Sequence, residues 1–220
     1  MASRPAHRRN QEIAVIFDVG GVLAHNMWEP MFDDLAVRYR LKKRRLQEVG
    51  RLLWETFAYV PETPANTWRD MERRYWQLFL LIARIPTTVE KLIALTDRYV
   101  VPVEGMRPIL DALQARGTRL VVCSNNNEIW WPRQAKALRL EKYFPEKRLV
   151  LSSRIGAPKN SPRLEMFRAA VAAAGVPAAS CFFVDDRREN VVRARRYGID
   201  ALLFRGPERF AAELRKRKLL

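Results

Sequence analysis

Two cysteines, Cys123 and Cys181, are all that 220 residues contain, and each lies inside an apolar, strand-like run. So few thiols cannot staple a domain of this size, so no disulfide framework is expected and both read as small core residues. Long hydrophobic runs are also missing. No stretch approaches the ~18 uninterrupted apolar residues that a membrane span requires. The opening MASRPAHRRN is basic, but the apolar run that follows it, Ile13–Phe17, is too short and too strand-like for a secretory segment. Together these absences lead to the expectation of a cytoplasmic protein.

Acidic residues are scarce as well. There are 24 against 40 lysines and arginines, a formal net charge of +16. Such a balance suits nucleic acid, an anionic membrane or phosphorylated small molecules. The arginines, however, are dispersed through helical stretches such as RYRLKKRRLQEVGR and RRENVVRARRYG, and the densest run, Arg215–Lys218, sits in the tail. Zinc-finger spacing, an RNA-binding aromatic signature and glycine–arginine repeats are all absent. The basic surface therefore reads as a solvated one that also attracts anionic substrates. Nucleic acid is the disfavoured partner, and no membrane partner is expected. No pattern specifies an oligomeric state.

With 48% of residues hydrophobic, the chain has material for a large core, and its length suits one domain or a core plus one inserted module. Ile13–Asp18 is apolar on both faces, as a central parallel strand requires. From Trp28 to about Val100 the apolar residues recur at helical spacing, for example Met31, Leu35 and Tyr39, then Leu46, Val49, Leu53 and Phe57. Pro61, Pro64 and Pro86 divide this region into four helices. Trp54, Trp68 and Trp76 fall at core-facing positions of such a bundle, which is favoured over a stacking surface. Strand–helix alternation then resumes. Strands are expected at Arg119–Ser124, Leu149–Ser152, Cys181–Asp185 and Ala201–Phe204. A helix at Gly105–Arg116 would be stopped by Gly117, and another would open at Ser161-Pro162 and stop at Gly175. Five strands with intervening helices imply an α/β fold, a doubly wound parallel sheet of Rossmann-like type. Residues 1–24 and 101–220 would form that core, with 25–100 inserted as a helical module.

The stretch IAVIFDVGGVLAHN ends a buried strand on Asp18, beside Gly20 and Gly21. By itself it reads equally as a turn or as a carboxylate aimed at a ligand. Ligands of doubly wound sheets bind beyond the carboxyl ends of the strands. Those positions hold Asp18, then Ser124 followed by Asn125, Asn126 and Asn127, then Lys159 after a Gly-Ala-Pro loop, and finally Asp185 and Asp186. Singly, each has a bland explanation as a cap, a turn or a solvated charge. Together they would bring three carboxylates, a hydroxyl and an ammonium to one edge. Carboxylates so close repel unless a cation joins them, and hard oxygen donors suit Mg²⁺. A hydroxyl, backbone amides and a lysine beside that cation make a phosphate cradle, and an aspartate there is a competent nucleophile.

Four ordered motifs, VIFDVGGVL, LVVCSNN, IGAPK and FFVDD, resemble those of the haloacid dehalogenase-like hydrolase superfamily, over roughly Ile13 to Phe204. The resemblance implies that Asp18 is the nucleophile, and that Mg²⁺ is bound by its side chain, the Gly20 carbonyl, Asp185 and Asp186. It implies that Ser124 and Asn125 hold phosphoryl oxygens and that Lys159 neutralises charge. Residues of about 25–100 match the family's helical cap, and the Gly-Gly form looks most like the sugar-phosphatase-like branch. The implied function is a Mg²⁺-dependent phosphatase acting on a small phosphorylated metabolite, such as a sugar phosphate, through an aspartyl-phosphate.

Two departures stand out. Phosphatases of this family carry a second aspartate two residues after the nucleophile, as general acid, and this chain has Gly20. The family lysine directly precedes a proline, which would select Ser161, whereas counting from Gly156 selects Lys159. Lys159 is favoured because only it supplies charge, with Asn160-Ser161 as a two-residue insertion. Two rivals remain: a carbon–halogen hydrolase using Asp18 without metal, and a silent binding protein acting through its basic surface.

Overall fold

The structure, a computed structural model, describes residues 13–57, 63 and 67–220. Five strands form one parallel sheet in the order β3-β2-β1-β4-β5: β1 (Ala14–Phe17), β2 (Arg119–Ser124), β3 (Leu149–Leu151), β4 (Cys181–Asp185) and β5 (Asp200–Leu203). Alternate residues of the central strand feed two separate cores. Val15 and Phe17 face α5 (Met106–Ala115), α6 (Trp130–Leu138) and α10 (Pro207–Lys216). Ala14 and Ile16 face α8 (Glu165–Ala174) and α9 (Arg188–Arg196). Covering both faces is why β1 is apolar at every position. Cys123 and Cys181 are buried and free.

Between β1 and β2 the chain forms α1 (Trp28–Tyr39), α2 (Lys43–Phe57), α3 (Trp68–Ala83) and α4 (Val89–Asp97). They share a core of their own around Met31, Leu35, Leu46, Trp76 and Phe79. Trp76 lies in that core, Trp68 is buried, and Trp54 is only partly buried at its edge, against Trp28. Pro61 and Pro64 lie outside the described residues. The two ends of the insertion are tied together: the His25 N–H donates to the Val101 carbonyl at 2.8 Å, and the Val103 N–H to that of Leu23 at 3.0 Å.

Most element ends fall within a residue of the sequence expectation, and two differences bear on the site. β3 stops at Leu151, and Ser152 opens a short helical turn, α7 (Ser152–Ile155). The next helix begins at Glu165, not at Ser161-Pro162, because Leu164 has a left-handed φ of 58°. Such a residue cannot continue a right-handed helix, so Ser161-Pro162 belongs to a turn closed by the Leu164 N–H donating to the Ser161 carbonyl. Gly117 behaves as expected: at φ 74° it follows α5 and its N–H caps the Gln114 carbonyl at 2.9 Å.

Candidate active site

Strand register sets the level of the site. Phe17 pairs with Val122 on one side and Val184 on the other, so the next residues, Asp18, Cys123 and Asp185, lie side by side at the edge where β1 ends. Oxygens of Asp18, Asp185 and Asp186 all lie within 4.8 Å of one another. Among the described residues, Lys159 is the cation in ion-pair contact with them: its Nζ sits 2.7 Å from Asp18 Oδ2 and 2.5 Å from Asp185 Oδ2. It is 1% exposed and its ammonium lies 5.6 Å from the centre of the Phe183 ring. The structure thus brings Lys159, not Ser161, to the carboxylates.

Two of the carboxylates are oriented by hydrogen bonds. Asp18 Oδ1 accepts from the Val19 N–H at 2.7 Å and from the Ser124 hydroxyl at 2.8 Å. Asp185 Oδ1 accepts from the Arg187 N–H at 2.8 Å, and both Asp185 oxygens accept from Asn190 Nδ2 at 3.0 Å. Asn125 anchors the lysine loop, its side-chain oxygen accepting the Lys159 N–H at 2.8 Å. Asn127 caps α6 by accepting the Ile129 and Trp130 N–H groups, and Asn126 bonds Gln134 on the same helix. Burial pushes the Asp18 carboxyl up to about 7 against the pull of Lys159, and Asp185 adds to the rise. Asp186 is raised too, first by burial and then by Asp185. Burial works against the Lys159 charge, but the two carboxylates outweigh it and hold its pKa above the ordinary lysine value.

The two glycines have different tasks. Gly21 has φ +76°, and a Cβ there would fall 2.3 Å from Asp186 Oδ2, so only glycine lets the Asp186 carboxylate come this close. Gly20 has no such restriction: a Cβ would meet nothing within 4 Å. A side chain fits at position 20, and the sequence simply carries none.

Three carboxylates against one ammonium leave a formal charge of −2. All the donors are hard oxygens, clustered where Gly21 clears room beside Asp186. That donor set fits a small divalent cation such as Mg²⁺. The model of the haloacid dehalogenase-like hydrolases matches residues 14–198. The chain belongs to this family.

No curated protein matches it in sequence, but solved members of the family share its fold. A HAD-family enzyme of Bacteroides thetaiotaomicron, in complex with magnesium and inorganic phosphate, is 19% identical with a TM-score of 0.63, covering 88% of this chain and 94% of that one. A HAD phosphatase of Thermococcus onnurineus is 18% identical with a TM-score of 0.58, covering 88% and 86%. An L-2-haloacid dehalogenase is 19% identical with a TM-score of 0.61, covering 86% and 84%. At such identities the likeness establishes the fold, which phosphatases and dehalogenases of the family both use.

Sequence reasoning missed Asn190, Val19 and the Arg187 backbone. Only Asn190 had a legible signal: five residues after Asp185, it falls in the first turn of the helix that follows β4, which looks back at the strand end. Backbone donors leave no mark in the sequence.

Proposed function

We propose that this protein is a Mg²⁺-dependent phosphatase that hydrolyses a small phosphorylated metabolite through an aspartyl-phosphate on Asp18. The observation that carries the reading is the −2 formal charge of the Asp18, Asp185, Asp186 and Lys159 cluster. A halide displacement needs no metal, so a dehalogenase would have no use for Asp185 and Asp186 together. Asp18, Asp185, Asp186 and the Gly20 carbonyl would hold the cation. When bound, Mg²⁺ supplies charge neutralisation to the carboxylates and to the phosphoryl oxygens.

The rest is the work of the chain's own groups. The Asp18 carboxylate, held by Val19 and Ser124, attacks phosphorus, and the bond to the ester oxygen breaks with its electron pair on the leaving group. Water then attacks the same phosphorus, releasing inorganic phosphate and restoring Asp18. Ser124 and the Asn125 backbone bind phosphoryl oxygens. Lys159 offsets negative charge throughout from its place between Asp18 and Asp185. The insertion at 25–100 serves as a cap that shapes the entrance.

The test is Mg²⁺-dependent turnover of an aryl phosphate by wild type and by Asp18→Asn, which keeps the shape of the side chain but not its nucleophilicity. Loss of turnover in a folded variant is expected; wild-type turnover in Asp18→Asn refutes the mechanism. Gly20 and the +16 charge favour one rival, a silent member of the family that binds a partner through its basic surface. It requires that no phosphate compound be hydrolysed with Mg²⁺ present.

A further inference from the structure

Resting on the phosphatase reading, we infer that the substrate's leaving group is aromatic: a phosphorylated phenol or comparable flat ring, in place of a sugar or other alkyl phosphate. Two independent features converge on it.

The first is the want of a carboxylic acid on the loop after Asp18, among the described residues. Position 20 is open and empty of side chain, and the loop from Val19 to Met27 contains no carboxylic acid. Lys159 is clamped between Asp18 and Asp185, and the Ser124 hydroxyl donates to Asp18. Asp186 belongs to the cation cluster. A phenolate departs with a conjugate-acid pKa of about 10, against about 16 for an alkoxide, near that of water. A leaving group of the first kind needs little general-acid help, which is otherwise worth about 10²–10⁴ in rate.

The second is an aromatic wall at the junction of the two catalytic loops. Trp28 opens α1 directly after the Asp18 loop, and Trp130 opens α6 directly after the Ser124 loop; their rings meet edge to face at 5.3 Å. Trp28 also meets Trp54 at 5.8 Å. Trp130 is sealed, but Trp28, Trp54, Phe57 and Ile129 in the same cluster remain half-buried. The accessible parts of such half-buried rings offer a flat ligand a stacking face.

Three substrates separate the two features: phenyl phosphate (a ring and a good leaving group), benzyl phosphate (a ring and a poor one) and acetyl phosphate (a good one without a ring). With Mg²⁺, phenyl phosphate should exceed benzyl phosphate in kcat by about 10² or more and show a lower KM than acetyl phosphate. Gly20→Asp should raise kcat for benzyl phosphate more than for phenyl phosphate. Trp54→Ala should lower kcat/KM for phenyl phosphate about tenfold more than for acetyl phosphate, and Trp54→Phe should restore most of the difference. Equal kcat for phenyl and benzyl phosphate overturns the inference, as does a shallow dependence that steepens in His25→Gln and so places a donor on the loop. Equal sensitivity of the two acyl and aryl substrates to Trp54→Ala overturns it as well. If none of the three is hydrolysed, the phosphatase reading itself has failed. The wall is then judged by binding alone: tryptophan fluorescence should report tighter binding of phenylphosphonate than of methylphosphonate, and equal binding refutes it.

Discussion

Replacing Lys159 by methionine removes the ammonium that pairs with Asp18 and Asp185 while keeping a side chain of similar length. In the native protein the ammonium is 1% exposed and contacts Asp18 at 2.7 Å and Asp185 at 2.5 Å. Without it, two buried carboxylates confront each other with no compensating charge. Removing one partner of a buried ion pair costs about 3–5 kcal/mol. For a chain of this size each 1 kcal/mol moves Tm by about 2–4 °C, so Tm should fall by about 6–20 °C in metal-free buffer. The formal charge of the site changes from −2 to −3. Saturating Mg²⁺ should therefore raise Tm more in Lys159→Met than in wild type. Scanning calorimetry with EDTA and with Mg²⁺ measures both effects, and near-ultraviolet circular dichroism confirms that the variant folds. A metal-free loss below about 1 kcal/mol, the value of a solvated pair, would refute the clamped geometry. An equal Mg²⁺ shift in both proteins would refute the charge argument.

Other outcomes follow from the same geometry. Asp185→Ala and Asp186→Ala should each weaken Mg²⁺ binding sharply in titration calorimetry, and unchanged affinity in both would remove them from the cation site. Gly21→Ala should destabilise by at least about 1–2 kcal/mol from its left-handed backbone and also weaken Mg²⁺ binding, since its Cβ meets the Asp186 carboxylate. Gly20→Ala should stay within about 0.5 kcal/mol of wild type, with urea titrations measuring the stability of both variants. Trp76→Ala, which deletes a ring in contact with Trp28, Tyr75, Phe79 and Trp130, should cost about 3–5 kcal/mol; a cost below 1 kcal/mol would mean that the helical insertion has no packed core.

Much of this was legible because the signals are local. A strand buried on both faces must be apolar throughout, so Ala14–Phe17 and Cys181–Asp185 announced a parallel sheet. Helical spacing from Met31 to Phe57 announced the insertion. Asp18, Ser124, Lys159 and Asp185 could be singled out because each lies at or beyond the end of a strand, and strand ends of such sheets converge. The helix start at Ser161-Pro162 misled for a physical reason. A serine and a proline make a good helix opening by themselves, but Leu164 takes a left-handed conformation three residues later, and no side-chain preference of leucine advertises that.

The residue types and their order along the chain therefore determined the class of fold, the helical insertion and the membership of the active-site edge. They could not decide between Lys159 and Ser161 except by charge, because two residues of loop are free to place either at the carboxylates until the sheet is assembled. Nor could they separate Gly20 from Gly21, which look alike in sequence. Only the assembled structure distinguishes them, by the distance from one missing Cβ to Asp186 and the open space at the other. The pairing of Trp28 with Trp130 is likewise a matter of tertiary structure. It joins residues that lie far apart along the chain, and only the parallel register of β1 with β2 brings the loops that carry them to the same edge.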